Sequence, residues 1–191
     1  MTQTIKRIGE KNITEEKLIK SVYKSLGAKE RFTRRVDTSY IRAHITGQEL
    51  IHHPFWMVKS LIVAARPPFP PKKIPRMIFI DAVSGYRGIF SHVPTITEEE
   101  AADGSIAAPF LRNEEDIDIY IRHVQEKQIN KQYLLKKPEH EVVEKTLAHL
   151  PIFKVRVESA EINDVFYINA NTGESEAFLS ERWRSKKDLL Q

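Results

Sequence analysis

The chain has 191 residues, 41% of them hydrophobic and 29% charged, with a net charge of +4 and no cysteine. This length and apolar content support a sizeable packed core and exclude a disordered polypeptide; the lack of cysteine excludes a disulfide, a thiolate metal centre and a cysteine nucleophile. No run reaches the roughly 18 to 20 apolar residues of a spanning helix, and no apolar signal core follows Lys6 and Arg7, so a soluble, cytoplasmic protein is expected.

Charge is uneven. Residues 1–35 hold ten Lys or Arg against four Glu, a local +6 that leaves −2 for the remainder. Residues 1–38 read as a basic helical segment: Asn12 or Thr14 can cap a helix over about 13–26, with Leu18, Ile19, Val22 and Leu26 at helical spacing and Gly27 closing it. Residues 39–96 form the next unit. The stretch Ser39 to Leu50 is ambiguous, since Tyr40 to Ile45 could alternate as a strand; Phe55 to Ala64 is β-rich, and Met77 to Ala82 is a second strand that turns at Val83-Ser84-Gly85 into a third near Arg87 to His92. Between the first two of these, Arg66-Pro67-Pro68-Phe69-Pro70-Pro71-Lys72-Lys73-Ile74-Pro75 reads as a polyproline-like projecting loop.

Residues 97–137 read as an acidic linker, Glu98-Glu99-Glu100, followed by a helix capped by Asn113 with Ile117, Ile121 and Val124 on one face. From Pro138 a further helix is expected, with Val142, Val143, Leu147 and Leu150 on its stripe. Strands at Phe153 to Ser159, Val165 to Ala170 and Glu176 to Leu179 complete a unit over 138–183. Residues 184–191 form a basic tail.

Two stretches repeat. Leu50-Ile51-His52-His53-Pro54-Phe55 returns as Leu147-Ala148-His149-Leu150-Pro151-Ile152, and Phe79-Ile80-Asp81-Ala82-Val83-Ser84-Gly85 returns as Tyr167-Ile168-Asn169-Ala170-Asn171-Thr172-Gly173. The offset between copies falls from 97 to 88, placing nine extra residues in the proline segment of the first. The fold class expected is α+β: two degenerate helix-plus-antiparallel-meander repeats packed as one pseudo-symmetric body. The endings Ile168-Asn169-Ala170-Asn171-Thr172-Gly173-Glu174 and Ile80-Asp81-Ala82-Val83-Ser84-Gly85 resemble tandem PepSY-like modules, in which a strand closes in D-x-x-T-G. The resemblance implies a helix packed on a small antiparallel sheet and an association with peptidase regulation and the bacterial cell envelope. Asn169 stands in place of the Asp, and no functional residue is carried over.

Chemistry-bearing patterns are few. His52 and His53 are adjacent, so on a strand they face opposite sides and cannot both ligate one ion. His140 and Glu144 would lie one turn apart on a helix, a metal-compatible spacing without the second histidine of a zinc-protease helix. No phosphate-binding glycine loop or hydrolase elbow occurs. No catalytic residue, metal site or cofactor is therefore assigned.

The leading reading is a non-catalytic binding or regulatory protein that holds a protein or peptide through the inter-repeat surface and the proline-rich loop. Arg66, Pro68, Phe69, Pro71, Lys72, Lys73 and Trp183 are its candidate contacts. The alternative is a nucleic-acid-associated accessory protein using Lys6, Arg7, Arg31, Arg34, Arg35, Arg182 and Arg184. A metal-dependent or acid/base enzyme assembled from distant residues is the third.

Overall fold

The computed structural model describes residues 1–191 apart from 32, 34 and 191. The chain is mixed α and β. In order it forms β1 (Thr2–Ile8), α1 (Glu15–Ser25), α2 (Ala28–Arg31), α3 (Thr38–His44), β2 (Ile45–Arg66), β3 (Phe69–Asp81), β4 (Arg87–Ile89) and β5 (Ile96–Ala102). It continues with α4 (Asp118–Val124), β6 (Glu139–Glu158), β7 (Asn163–Asn169) and α5 (Ala177–Ser185). Strand neighbours run β4-β3-β2-β6-β1-β5, and β7 also pairs with β6. No helix among the described residues is long and apolar enough to cross a membrane.

The chain divides into two compact units. Unit 1 comprises Met1–His53, Ile96–Ala107 and His149–Arg184; unit 2 comprises Pro54–Thr95, Ala108–Ala148 and Ser185–Gln191. Both divisions made inside a strand fall at the repeated His-containing blocks, between His53 and Pro54 and between Ala148 and His149.

In unit 1, α1 begins where the sequence predicts, with the Thr14 side chain accepting from the Lys17 N–H. Its apolar face, Leu18, Ile19, Val22 and Leu26, packs with Val36 and Ile41 onto Val155, Val157, Phe166 and Ile168 of β6 and β7. The ambiguous stretch after residue 38 is helix α3, because Asp37 caps it through a 2.7 Å bond from the Tyr40 N–H and Ile41 is fully buried.

Two further expectations are corrected in unit 1. The basic N-terminus opens with a strand, and the acidic linker is its partner, pairing antiparallel with Lys6 opposite Glu98 and Arg7 opposite Thr97. Opposite charges on paired strands stabilise a register that neither segment announces alone.

In unit 2, Trp56, Val58, Ile62, Ile78 and Ile80 of β2 and β3 form a core with Ile117, Tyr120, Ile121 and Val124. The Trp56 Nε1–H donates to the Leu111 carbonyl at 2.9 Å, satisfying the buried indole. The basic tail also folds back. Leu189 and Leu190 pack on this core, and Arg87 donates to the Asp188 and Gly85 carbonyls, both at 2.7 Å.

Each unit contains a strand-to-turn ending. In unit 2 the Asp81 Oδ1 accepts from the Val83 and Ser84 N–H groups, the Gly85 N–H donates to the Asp81 carbonyl, and Gly85 has φ +74°. In unit 1 the Asn169 Oδ1 accepts from the Asn171 and Thr172 N–H groups, the Gly173 N–H donates to the Asn169 carbonyl, and Gly173 has φ +80°. Both glycines occupy backbone conformations that a side chain disfavours.

The expected helix from Pro138 is overturned. Residues 139–158 are one 20-residue strand, and the β-branched Val142, Val143 and Thr146 fit a pleated surface better than a helix. His140 and Glu144 are therefore about 13 Å apart along the strand rather than one turn. His140 instead hydrogen-bonds the Asn130 Oδ1 at 2.8 Å, and Glu144 pairs with Lys59.

Candidate functional site

The proline segment of unit 2 is a two-stranded ribbon. β2 and β3 pair from Phe55 opposite Asp81 out to Arg66 opposite Phe69, so the expected polyproline course is replaced by a strand ladder. Ile62 is the last buried residue on β2 and Met77 the first on β3. Beyond them Arg66, Pro67, Pro68, Phe69, Pro70, Pro71, Lys72, Lys73 and Arg76 are exposed. Phe69 is 66% exposed, with the Arg66 guanidinium 5.9 Å from its ring centre and the Arg66 Nε–H donating to the Pro70 carbonyl at 2.9 Å.

The free edges of unit 2 differ. On β3 the Met77 carbonyl accepts from the Phe90 N–H, so odd-numbered residues turn their backbone polar groups away from β2. β4 covers only residues 78–80. Pro75 shares that outward parity and Pro71 lies at the register shift beside the turn, and neither proline has an N–H to offer an incoming strand. On β6, the Pro151 carbonyl accepts from the Ala170 N–H just past β7, so odd residues again face away from β2. Among the described residues, β7 and the single Arg7–His149 rung of β1 pair only with β6 from His149 onward. Residues 139–148 thus keep one open edge, free of proline, where Val142 and Val143 are 39% and 62% exposed. Sequence reading missed these two valines as surface residues because it placed them on a helix face; their β-branching was the available signal.

Unit 1 holds a buried polar network instead. The Arg7 guanidinium, 6% exposed, donates to Glu99, Asn12 and Asn171, each at 2.9 Å. Its backbone neighbour Gly9, at φ +91°, has no room for a Cβ, which would meet the Asn171 amide at 2.3 Å. The His52 Nδ1 lies 3.0 Å from the Ser105 Oγ and its Nε2 lies 3.7 Å from the Glu99 Oε1, too long for a hydrogen bond. Burial holds His52 below the usual histidine range, against the pull of Glu99. His149 is lowered by burial too, with His52 and His53 adding repulsion. Both imidazoles are buried. No group of three or more metal-competent side chains occurs among the described residues.

The remaining predicted contacts are dispersed. Trp183 stacks on His53 at 3.9 Å and meets Tyr167 edge-on at 5.7 Å, so it is half-buried packing in unit 1, whereas the ribbon residues belong to unit 2. Of the cations proposed for nucleic acid, Arg7 is buried, Arg182 lies 4.6 Å over Phe178 and the Arg184 Nε–H donates to the Ser180 carbonyl. Lys6, Arg31 and Arg35 are exposed, and Arg34 lies outside the described residues. The chain matches no protein-family model, no curated protein and no solved structure.

Proposed function

We propose that this chain is a non-catalytic binding or regulatory protein that receives an extended peptide or protein segment as an added strand on the open edge of β6. The observation that carries the reading is the contrast between edges in unit 2: Pro75 occupies an outward position of β3, while residues 139–148 offer unblocked backbone beside exposed valines. Main-chain pairing would supply affinity and the alternate side chains specificity.

The architecture behind it is one supersecondary unit used twice. Support comes from the matched turn hydrogen bonds at Asp81 and Asn169, and from the Ala82 and Ala170 carbonyls, which accept from Leu111 and Ile13 just ahead of α4 and α1. Hairpin length agrees as well. Leu61 opposite Pro75 corresponds to Glu158 opposite Asn163, and thirteen residues lie beyond the first rung against four beyond the second, the nine-residue difference of the offsets. A peptidase-regulating role of the kind the PepSY resemblance implies belongs to this same proposal.

The test is affinity capture on immobilised wild type and Val143→Pro protein, with nuclease, followed by amide exchange on the complex. Val143 has outward parity, so the substitution removes only an edge donor. The expected result is a nuclease-resistant partner that Val143→Pro loses at least tenfold and that protects the Val143, Lys145 and Leu147 amides. Equal capture by both proteins, or recovery only of nucleic acid, overturns the reading.

A further inference from the structure

We infer that the tip of the β2–β3 ribbon is a wedge for an anionic lipid surface, a contact separate from the strand edge proposed above. Between residues 65 and 76 the ribbon carries Arg66, Lys72, Lys73 and Arg76 and no acidic residue. Its turn is Pro67-Pro68, and Phe69, the first residue of β3, stands opposite Arg66 with a proline pair on either side.

Three physical features select lipid over a protein groove. The first is donor count. Residues 67–71 contain a single backbone N–H, that of Phe69, whose ladder partner is Arg66, and the Pro70 carbonyl is taken by the Arg66 side chain. With four prolines in five residues the tip has almost no N–H donor to strip of water on entering the interfacial layer, and its other backbone groups are acceptors only. The second is height. Lys72 follows Phe69 by three residues, about 10 Å along a strand, comparable with the roughly 5 to 8 Å headgroup zone on each side of the hydrocarbon. Lys72 and Lys73 therefore stand at phosphate level when Phe69, with Arg66 opposite it, reaches the acyl boundary. The third is two-sidedness. Strand alternation puts Lys72 and Arg76 on one face of the ribbon and Lys73 on the other, which suits tip-first entry between headgroups. Recognition as a polyproline helix does not apply to a segment paired as a strand, and edge addition is opposed by Pro71 and Pro75.

The test is sedimentation of full-length protein with vesicles of phosphatidylcholine alone or containing 30% phosphatidylserine. A Phe69→Trp variant on a Trp56→Phe, Trp183→Phe background reports depth. The expected result is binding to the anionic vesicles only, weakened by salt, with a blue-shifted emission from the single indole at the tip that brominated acyl chains quench. Lys72→Glu with Lys73→Glu should reduce partition at least 25-fold, at roughly fivefold per cation, and Phe69→Ser about tenfold. All these ribbon sites are exposed, and an unchanged melting curve checks the fold. No sedimentation with anionic vesicles, equal sedimentation with neutral ones, or an unquenched tip overturns the inference; capture of an acidic protein by the tip without vesicle binding does the same. Val143→Pro leaves this assay unchanged, so the two proposals fail independently.

Discussion

Unit 1 and unit 2 are built from similar hairpins and turns, yet they hide different chemistry. Unit 1 buries the polar Arg7, His52 and His149, whereas unit 2 fills its interior with Trp56, Tyr120 and aliphatic side chains and extends its hairpin into an exposed cationic ribbon. One unit is fastened by groups whose stability depends on protonation and pairing, and the other is fastened by apolar packing and carries the accessible edges.

Each unit also contains one tryptophan, Trp183 in unit 1 and Trp56 in unit 2, so conservative single-tryptophan variants can follow the two separately. The greatest loss is expected from Trp56→Ala, at about 3 to 5 kcal/mol of stability, through the cavity and the lost bond to Leu111; amide exchange of the unit 2 strands in rising denaturant checks it. Arg7→Met should cost unit 1 about 3 kcal/mol by removing the three hydrogen bonds of a buried guanidinium to Asn12, Asn171 and the partly exposed Glu99. A loss of less than about 1 kcal/mol, the size of an exposed ion pair, would show that the network adds no stability and would erase the contrast.

The acid response comes next. The folded pKa values of His52 and His149 lie below the unfolded value near 6.5, so the unfolded chain binds more protons. Their contribution is present above about pH 6.5 and is lost as the pH falls below it, by up to about 1.4 kcal/mol per pH unit for each group. His123 and His140 of unit 2 are lowered in the same direction but are only half-buried. Trp183 emission should therefore report loss of structure at a higher pH than Trp56 emission, and coincident transitions would show that the two units answer acid alike. The mildest change in stability is expected from Pro71→Thr with Pro75→Thr. It should leave the melting temperature within a few degrees while opening the β3 edge, read as self-association by light scattering.

Much of this architecture is legible in the chain. Thr14 with the Leu18, Ile19 and Val22 spacing locates α1, and the β-rich cores of β2, β3, β6 and β7 follow from their Val, Ile and Phe content. Three features are hidden for physical reasons. β1 and β5 are recognisable only as partners, because Lys6 and Glu98 make a strand pair that neither polar segment indicates alone. Residues 139–148 carry Glu, Lys and apolar positions that satisfy a helical period, and tertiary pairing overrides that local preference. The network around Arg7 draws on Asn12, His52, Glu99, Ser105, His149 and Asn171, six positions scattered along the chain, so no spacing rule could find it. The ribbon lies between these cases, since its residues and their exposure were foreseen and its backbone was not.

The way unit 1 is threaded also bears on how the molecule is made. The face of α1 that carries Leu18, Ile19 and Val22 is covered by Val155, Phe166 and Ile168, about 140 residues further along the chain. At roughly 5 to 20 residues per second, a nascent chain leaves that greasy stripe without its native cover for about 7 to 30 seconds, during which it is a natural target for a ribosome-side holdase.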